Sequence, residues 1–284
     1  MKILYLALAF LFLSLSAHAS DTPAETPTDD ATAHEAPATE DLRNPLLTMS
    51  GVYIGYRFQY FDYQEPSPNV HQYGPLHGLV VGVDGLLPRT DFFYKIEAEY
   101  LTGVLIYDGF YQSGGALEAN TEDHTASLRL HFGFIDYLSS NTSLQIYSGL
   151  MYRYLYDYVQ ASGGYRREIS QITLPLGITR RQALQNWAYG LTAEIDILAS
   201  GAVKSHMSDV GPTYSDIENK QSRGYGVKLG ADFDLPFRKM VFMIQPTFQY
   251  WLMDDSDIAT NSHGSFLEPY NISKMYNLSL ILKF

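Results

Sequence analysis

The chain has 284 residues, no cysteine and a formal net charge of −12. Such a length suits one large domain or two small ones, and the lack of cysteine excludes a disulfide scaffold and Cys-ligated zinc or iron–sulfur centres. The acidic balance argues against a nucleic-acid surface, which needs clustered Lys and Arg.

The first element is a three-part leader. Met1-Lys2 is a short positive start, Ile3 to Leu13 is unbroken apolar, and Ala17-His18-Ala19 precedes Ser20. This is the layout of a secretory signal, with cleavage expected after Ala19. The alternative, a membrane anchor, falls short of the roughly 18 residues a spanning helix needs. An exported chain without spanning helices enters a membrane only as a closed barrel. Residues 20–49 are rich in Pro, Ala, Thr and acids, with seven acidic residues against one basic, net −6. Such a stretch buries too little surface to offset its ordering entropy and is expected to be a disordered acidic extension, a spacer rather than a tether.

From residue 50 the pattern has period two. Val52, Ile54, Tyr56, Phe58 and Tyr60 alternate with Gly55, Arg57 and Gln59. Phe92, Tyr94, Ile96 and Tyr100 oppose Lys95, Glu97 and Glu99, and Leu128, Leu130, Phe132 and Phe134 oppose Arg129, His131 and Gly133. Trp187, Tyr189, Leu191, Ile195 and Ile197 oppose Glu194 and Asp196, and Val227, Leu229 and Phe233 oppose Lys228, Asp232 and Asp234. Alternation of this kind marks β-strands. Weaker runs at 77–86, 144–156, 169–178, 240–252 and 270–284 bring the expectation to ten strands.

The links at 87–91, 135–142, 180–185 and 235–238 are short. Those at 64–76, 102–122, 158–168, 199–222 and 253–268 are longer and polar. Short and long alternate throughout, as in an up-and-down transmembrane barrel of even strand number. The expected fold is therefore all-β, a ten-stranded antiparallel transmembrane barrel over residues 50–284, following a signal at 1–19 and the extension at 20–49. A soluble sandwich or lipid-binding barrel also alternates, with its apolar face inward. Aromatic residues near strand ends favour the membrane, where Tyr and Trp gather at both interfaces. Eight or twelve strands fit the short–long rhythm less well.

The chain closes Tyr276-Asn277-Leu278-Ser279-Leu280-Ile281-Leu282-Lys283-Phe284. This resembles the terminal strand of Gram-negative outer-membrane β-barrel proteins, which alternate apolar residues and end on an aromatic one. The resemblance implies that Tyr276, Leu278, Leu280, Leu282 and Phe284 form the signal read by the barrel assembly machinery. It also implies an outer-membrane location, with the N-terminal extension and the C-terminus in the periplasm, among lipid and lipopolysaccharide.

Ten strands lie near the narrow end, where side chains fill the bore. The inward charges expected are Arg57, Lys95, Glu97, Glu99, Arg129, His131, Arg153, Glu194, Asp196, Lys228, Asp232 and Asp234. They read as a network that satisfies the interior, in which the opposite charges among Lys95 and Glu97 on one strand and Arg57 and Arg129 on its neighbours pair across strands. The competing reading is a narrow path for ions or small polar solutes. Asp123-His124 with Asp254, Asp255 and Asp257 invites comparison with omptin proteases, but adjacent residues on a strand point to opposite faces. His206 and His263 lack a nucleophile-elbow context. Asp254 to Asp257 lacks the spacing and glycine of a calcium loop and reads as a solvated tip. Arg166, Arg167, Lys204, Lys220 and Arg223 could meet lipopolysaccharide phosphates or be ordinary loop charge. No catalytic residue, cofactor, metal or nucleic acid is expected. The function expected is a structural or surface-interaction barrel whose outer loops meet an extracellular ligand, with a porin-like channel second and an outer-membrane enzyme third.

Overall fold

A computed structural model describes residues 44–47, 50–67, 69–110, 114–261 and 264–284. The leader and the extension up to residue 43, with residues 48 and 49, lie outside the described residues. The strands are β1 Gly51–Glu65, β2 Val70–Leu86, β3 Phe92–Phe110, β4 Ala116–Ser139, β5 Thr142–Val159, β6 Arg166–Ala183 and β7 Ala188–Ser205. They continue as β8 Ile217–Gln221, β9 Gly224–Phe237, β10 Met240–Met253, β11 Ala259–Asn261, β12 Gly264–Phe266 and β13 Asn271–Lys283. Ten of them, β1 to β7 with β9, β10 and β13, form one closed antiparallel ring. The short β8 pairs with the end of β7, in line with β9, and β11–β12 is a separate hairpin.

Closure is made by β1 and β13, in register from Tyr53↔Lys283 to Gln64↔Ile272. Every barrel strand therefore has two partners, which is what a backbone surrounded by hydrocarbon requires. The alternating residues settle which face points out. Ile54, Phe58, Leu128, Phe132, Leu278 and Leu280 are exposed on the outer wall, while Arg57, Glu97, Arg129 and Glu194 are buried in the lumen. An apolar exterior around a polar interior is the transmembrane arrangement; a soluble barrel has the reverse.

Two differences from the sequence reading have clear causes. Two of the links expected to be long, 64–76 and 102–122, are mostly strand: β2 begins at Val70, and β4 begins at Ala116. Only residues 66–69 separate β1 from β2. Past the apolar band the outward residues turn polar, as with Glu122 and His124 on β4, so the alternation vanishes. The backbone ladder continues regardless, pairing Gly103↔Asp123 and Tyr107↔Ala119. The second difference concerns the extension, expected to be disordered through residue 49. Its residues 44–47 are folded: Pro45–Leu47 forms a 3-10 turn, and Asn44 N–H donates to Ser140 O at 3.0 Å. Leu47 is 1% exposed and packs with Ala183 and Ala188, closing part of the short-turn mouth.

Leu130 lies in the middle of the outward apolar run of β4. Leu130→Lys should destabilise the barrel in lipid vesicles by about 2–4 kcal/mol. Urea titration against wild type measures this, and a change near zero would contradict lipid exposure of that face.

Candidate functional site: the charged lumen and its two cavities

All twelve charged residues expected inward sit on lumen-facing positions of their strands, since each shares parity with a buried neighbour in the same ladder. The structure brings most of them into ion pairs. Arg57 spans β2 to reach Glu99 and Glu97, the latter at 3.5 Å, while its Nε donates to Ser279 across the closing seam at 2.7 Å. Lys95 pairs with Glu97 at 3.1 Å. Arg129 stands directly opposite Glu97 in the ladder, yet its ion pair crosses the lumen to Glu194. Glu194 also accepts from Lys228 at 3.3 Å and from the Tyr147 hydroxyl at 2.7 Å, with His131 Nε2 3.7 Å away. Arg153 and Glu99 line one small void. Asp196 is 1% exposed, with one oxygen lacking a hydrogen bond. Asp232 and Asp234 both pair with Arg181, at 2.7 Å for Asp232.

Arg181 is a member that sequence reasoning missed. It stands in the segment 180–185 taken as a turn, whereas β6 runs on to Ala183. Two inward glycines shape the same wall. Gly82 and Gly177 leave the space occupied by the rings of Tyr53 and Tyr147; a Cβ at either would overlap those rings. The freed rings lie against the wall, where Tyr53 donates to Glu97 at 2.9 Å and Tyr147 to Glu194.

Above the charged belt, Phe61, Leu76, Leu101, Leu105, Met151, Trp251 and Met275 belong to one buried apolar cluster. The belt and this cluster separate two cavities. The one at the short-turn end is 140 Å³ and is lined by Leu47, Arg181 and Lys283 among others. The one at the opposite end is 670 Å³. Two voids between them measure 20 and 30 Å³, about the size of one or two water molecules.

The larger cavity rests on a second charged cluster, which the sequence reading placed wrongly. Arg167, grouped with the lipopolysaccharide candidates, points inward and is 9% exposed. It pairs with Asp157 at 2.9 Å, Glu268 at 2.9 Å and Glu65 at 3.5 Å, and lies 5.3 Å from the Tyr63 ring. The neighbouring Arg166 points outward and clasps Asp209 with two bonds of 2.8 Å, because successive residues of β6 face opposite sides. Lys204 lies 3.9 Å from Asp216. The Lys220 amide donates to Asp257, and Arg223 O accepts the Asp254 amide.

Asp123 is fully buried and accepts from Gln72 and Thr121, whereas His124 is outside, against Tyr100 and Tyr156. They cannot act together. His206 is held between Glu168 at 2.6 Å and Asp216 at 3.0 Å. Asp255 and Asp257 accept the backbone amides of Tyr270 and Lys220, both at 2.6 Å, so the acidic tip caps loops instead of standing free. His263 lies outside the described residues, and no group of three or more His, Asp or Glu suited to a metal occurs among the described ones. Tyr276, Leu278, Leu280 and Leu282 face outward, and the Phe284 amide donates to Val52 O at 2.9 Å.

The closed ring, apolar wall and polar filled interior define a transmembrane β-barrel of the outer-membrane type. No protein-family profile matches the sequence, and no curated protein matches it either. Among solved structures it is similar to the transport unit of the autotransporter AIDA-I from Escherichia coli, with TM-score 0.44, 11% identity and coverage of 82% of this chain and 90% of that one. Neisserial surface protein A gives 0.36 and 8%, covering 83% and 98%. The Pseudomonas putida toluene transporter TodX gives 0.36 and 9%, covering 88% and 94%. These distant likenesses assign neither substrate nor role.

Glu194 neutralises cations from two strands, so removing its charge leaves Arg129 and Lys228 buried and uncompensated. Glu194→Gln should cost about 3–5 kcal/mol in denaturant titration, and pairing it with Arg129→Met should recover part of that loss. At the other cluster, burial pushes the Glu268 carboxyl up to about 7; Arg167 opposes this, while Glu65 and Asp157 reinforce it. The folded chain then holds a proton that the unfolded chain releases near 4.5. The stabilisation is complete below that value and is lost as pH rises through 7. Unfolding midpoints at pH 5 and 8 should differ in that direction, by less in Glu268→Gln.

Proposed function

We propose that this chain is an integral outer-membrane barrel that acts at the cell surface through its long-link end, with a lumen that does not conduct. One observation carries this reading: the ion-paired belt and the apolar layer fill the bore between the two cavities. Moving either layer would leave a buried charge unpaired or open a void in a close-packed core, and both are costly. The short turns and the C-terminus lie on the periplasmic side, as does the acidic extension. Tyr276, Leu278, Leu280, Leu282 and Phe284 address the assembly machinery. The outer wall meets lipid and, at its outer rim, lipopolysaccharide. The role is binding, not catalysis.

A narrow porin-like path is the second reading, favoured by charges of both signs along the lumen and by a cavity at each end. It requires the bridge between Arg129 and Glu194 to open.

Purified full-length protein in planar bilayers should show no stable unitary conductance. Reproducible, ion-selective steps would overturn the closed-lumen reading in favour of the channel.

A further inference from the structure

The 670 Å³ cavity falls within the range of small-molecule sites, which are concave, largely apolar and equipped with a few convergent polar groups. Its walls include Tyr107, Phe110, Leu117, Tyr165 and Tyr214, and its floor carries Glu65, Asp157, Glu268 and Arg167. Three carboxylates thus meet one guanidinium. The three are 7%, 3% and 8% exposed.

Arg167 is shared among all three acids. It engages Glu65 and Glu268 through their Oε1 atoms and Asp157 through Oδ2, and its plane lies over Tyr63. Glu65 Oε1 also accepts from the Tyr63 hydroxyl at 2.7 Å. The bonds these acids make run through one oxygen each, Oε1 of Glu65, Oε1 of Glu268 and Oδ2 of Asp157, so a single guanidinium is shared by three carboxylates. An excess of buried negative charge is costly, and a group that supplies N–H donors and positive charge relieves the cost. An anion would be repelled by the excess carboxylates, and a neutral apolar ligand would leave the excess charge unbalanced. The aromatic walls suit the same kind of ligand, because ring faces attract cations.

We propose that this cavity is a binding site for a small organic cation, an ammonium or guanidinium compound, held by Glu65, Asp157 and Glu268 and walled by Tyr107, Tyr165 and Tyr214. The proposal rests on the surface-acting reading above and names the chemistry of the ligand. When the site is empty, part of the unmatched charge is offset by a proton on Glu268, which faces Glu65 and Tyr63 from β1, Tyr107 from β3, Asp157 from β5, Tyr165 before β6 and Arg167 from β6. An arriving cation displaces that proton.

Agmatine, which carries both groups, is the probe, titrated calorimetrically into the full-length protein in detergent at pH 7. Saturable binding is expected, with proton release seen by comparing buffers of different ionisation enthalpy. Glu268→Gln should weaken binding about tenfold, equivalent to about 1.4 kcal/mol, and abolish the proton release. Leu117→Trp, which fills the cavity without touching a charge, should also abolish binding, whereas Glu122→Gln on the outer wall should leave it unchanged. Heat-modifiable migration on gels checks that each variant folds. Absence of saturable heat with wild type at millimolar agmatine, or wild-type affinity in both Glu268→Gln and Leu117→Trp, would overturn the site. Agmatine-driven swelling of proteoliposomes alongside normal binding would keep the site and overturn the closed lumen instead.

Discussion

The ladder between β1 and β13 is the contact on which everything else depends. Hydrocarbon offers no partner to a backbone N–H or C=O, so an open sheet edge in a bilayer would leave a row of them unsatisfied. Pairing Tyr53 through Gln64 with Lys283 through Ile272 removes both edges at once. Ring closure then makes every outward side chain a lipid contact or a rim contact. Every inward one is committed to a narrow, enclosed space.

That enclosure explains the chemistry of the interior. With ten strands the bore is little wider than opposing side chains, so charges placed there must find each other. They do so across the lumen as well as along the wall: Arg129 ignores the glutamate opposite it in the ladder and reaches Glu194. Inward glycines at 82 and 177 admit tyrosine rings whose hydroxyls complete the glutamates' hydrogen bonding. The same residues that satisfy the interior also narrow it, which ties the width of the bore to the means of stabilisation.

Beyond the apolar band the strands continue upward, and the environment changes from lipid to water. There the inward cluster around Arg167 no longer balances, because three acids share one base. Imbalance in a buried position is a liability for folding. It is also what a binding site for a cation has before its ligand arrives, and it coincides with the larger of the two cavities.

Much of this was legible in the residues themselves. Period-two alternation is local, so strand number and the separation of Arg57, Glu97, Arg129 or Asp234 from the apolar face follow from short windows read one at a time. Strand length did not follow. Above the band both faces are polar, and β4 from Ala116 to Ala126 looks like a loop although its backbone is paired. Arg181 and Arg167 were lost with those misread ends, and Leu47 because a short apolar pair, Leu46-Leu47, carries no periodic signal. The sequence by itself determined which side chains share a face, because that parity is a property of one strand. Only the tertiary structure decided which inward charges pair, where the bore is plugged and where it opens into a cavity. Those outcomes depend on register and curvature summed around a closed ring, and on side chains far apart in the chain meeting across it.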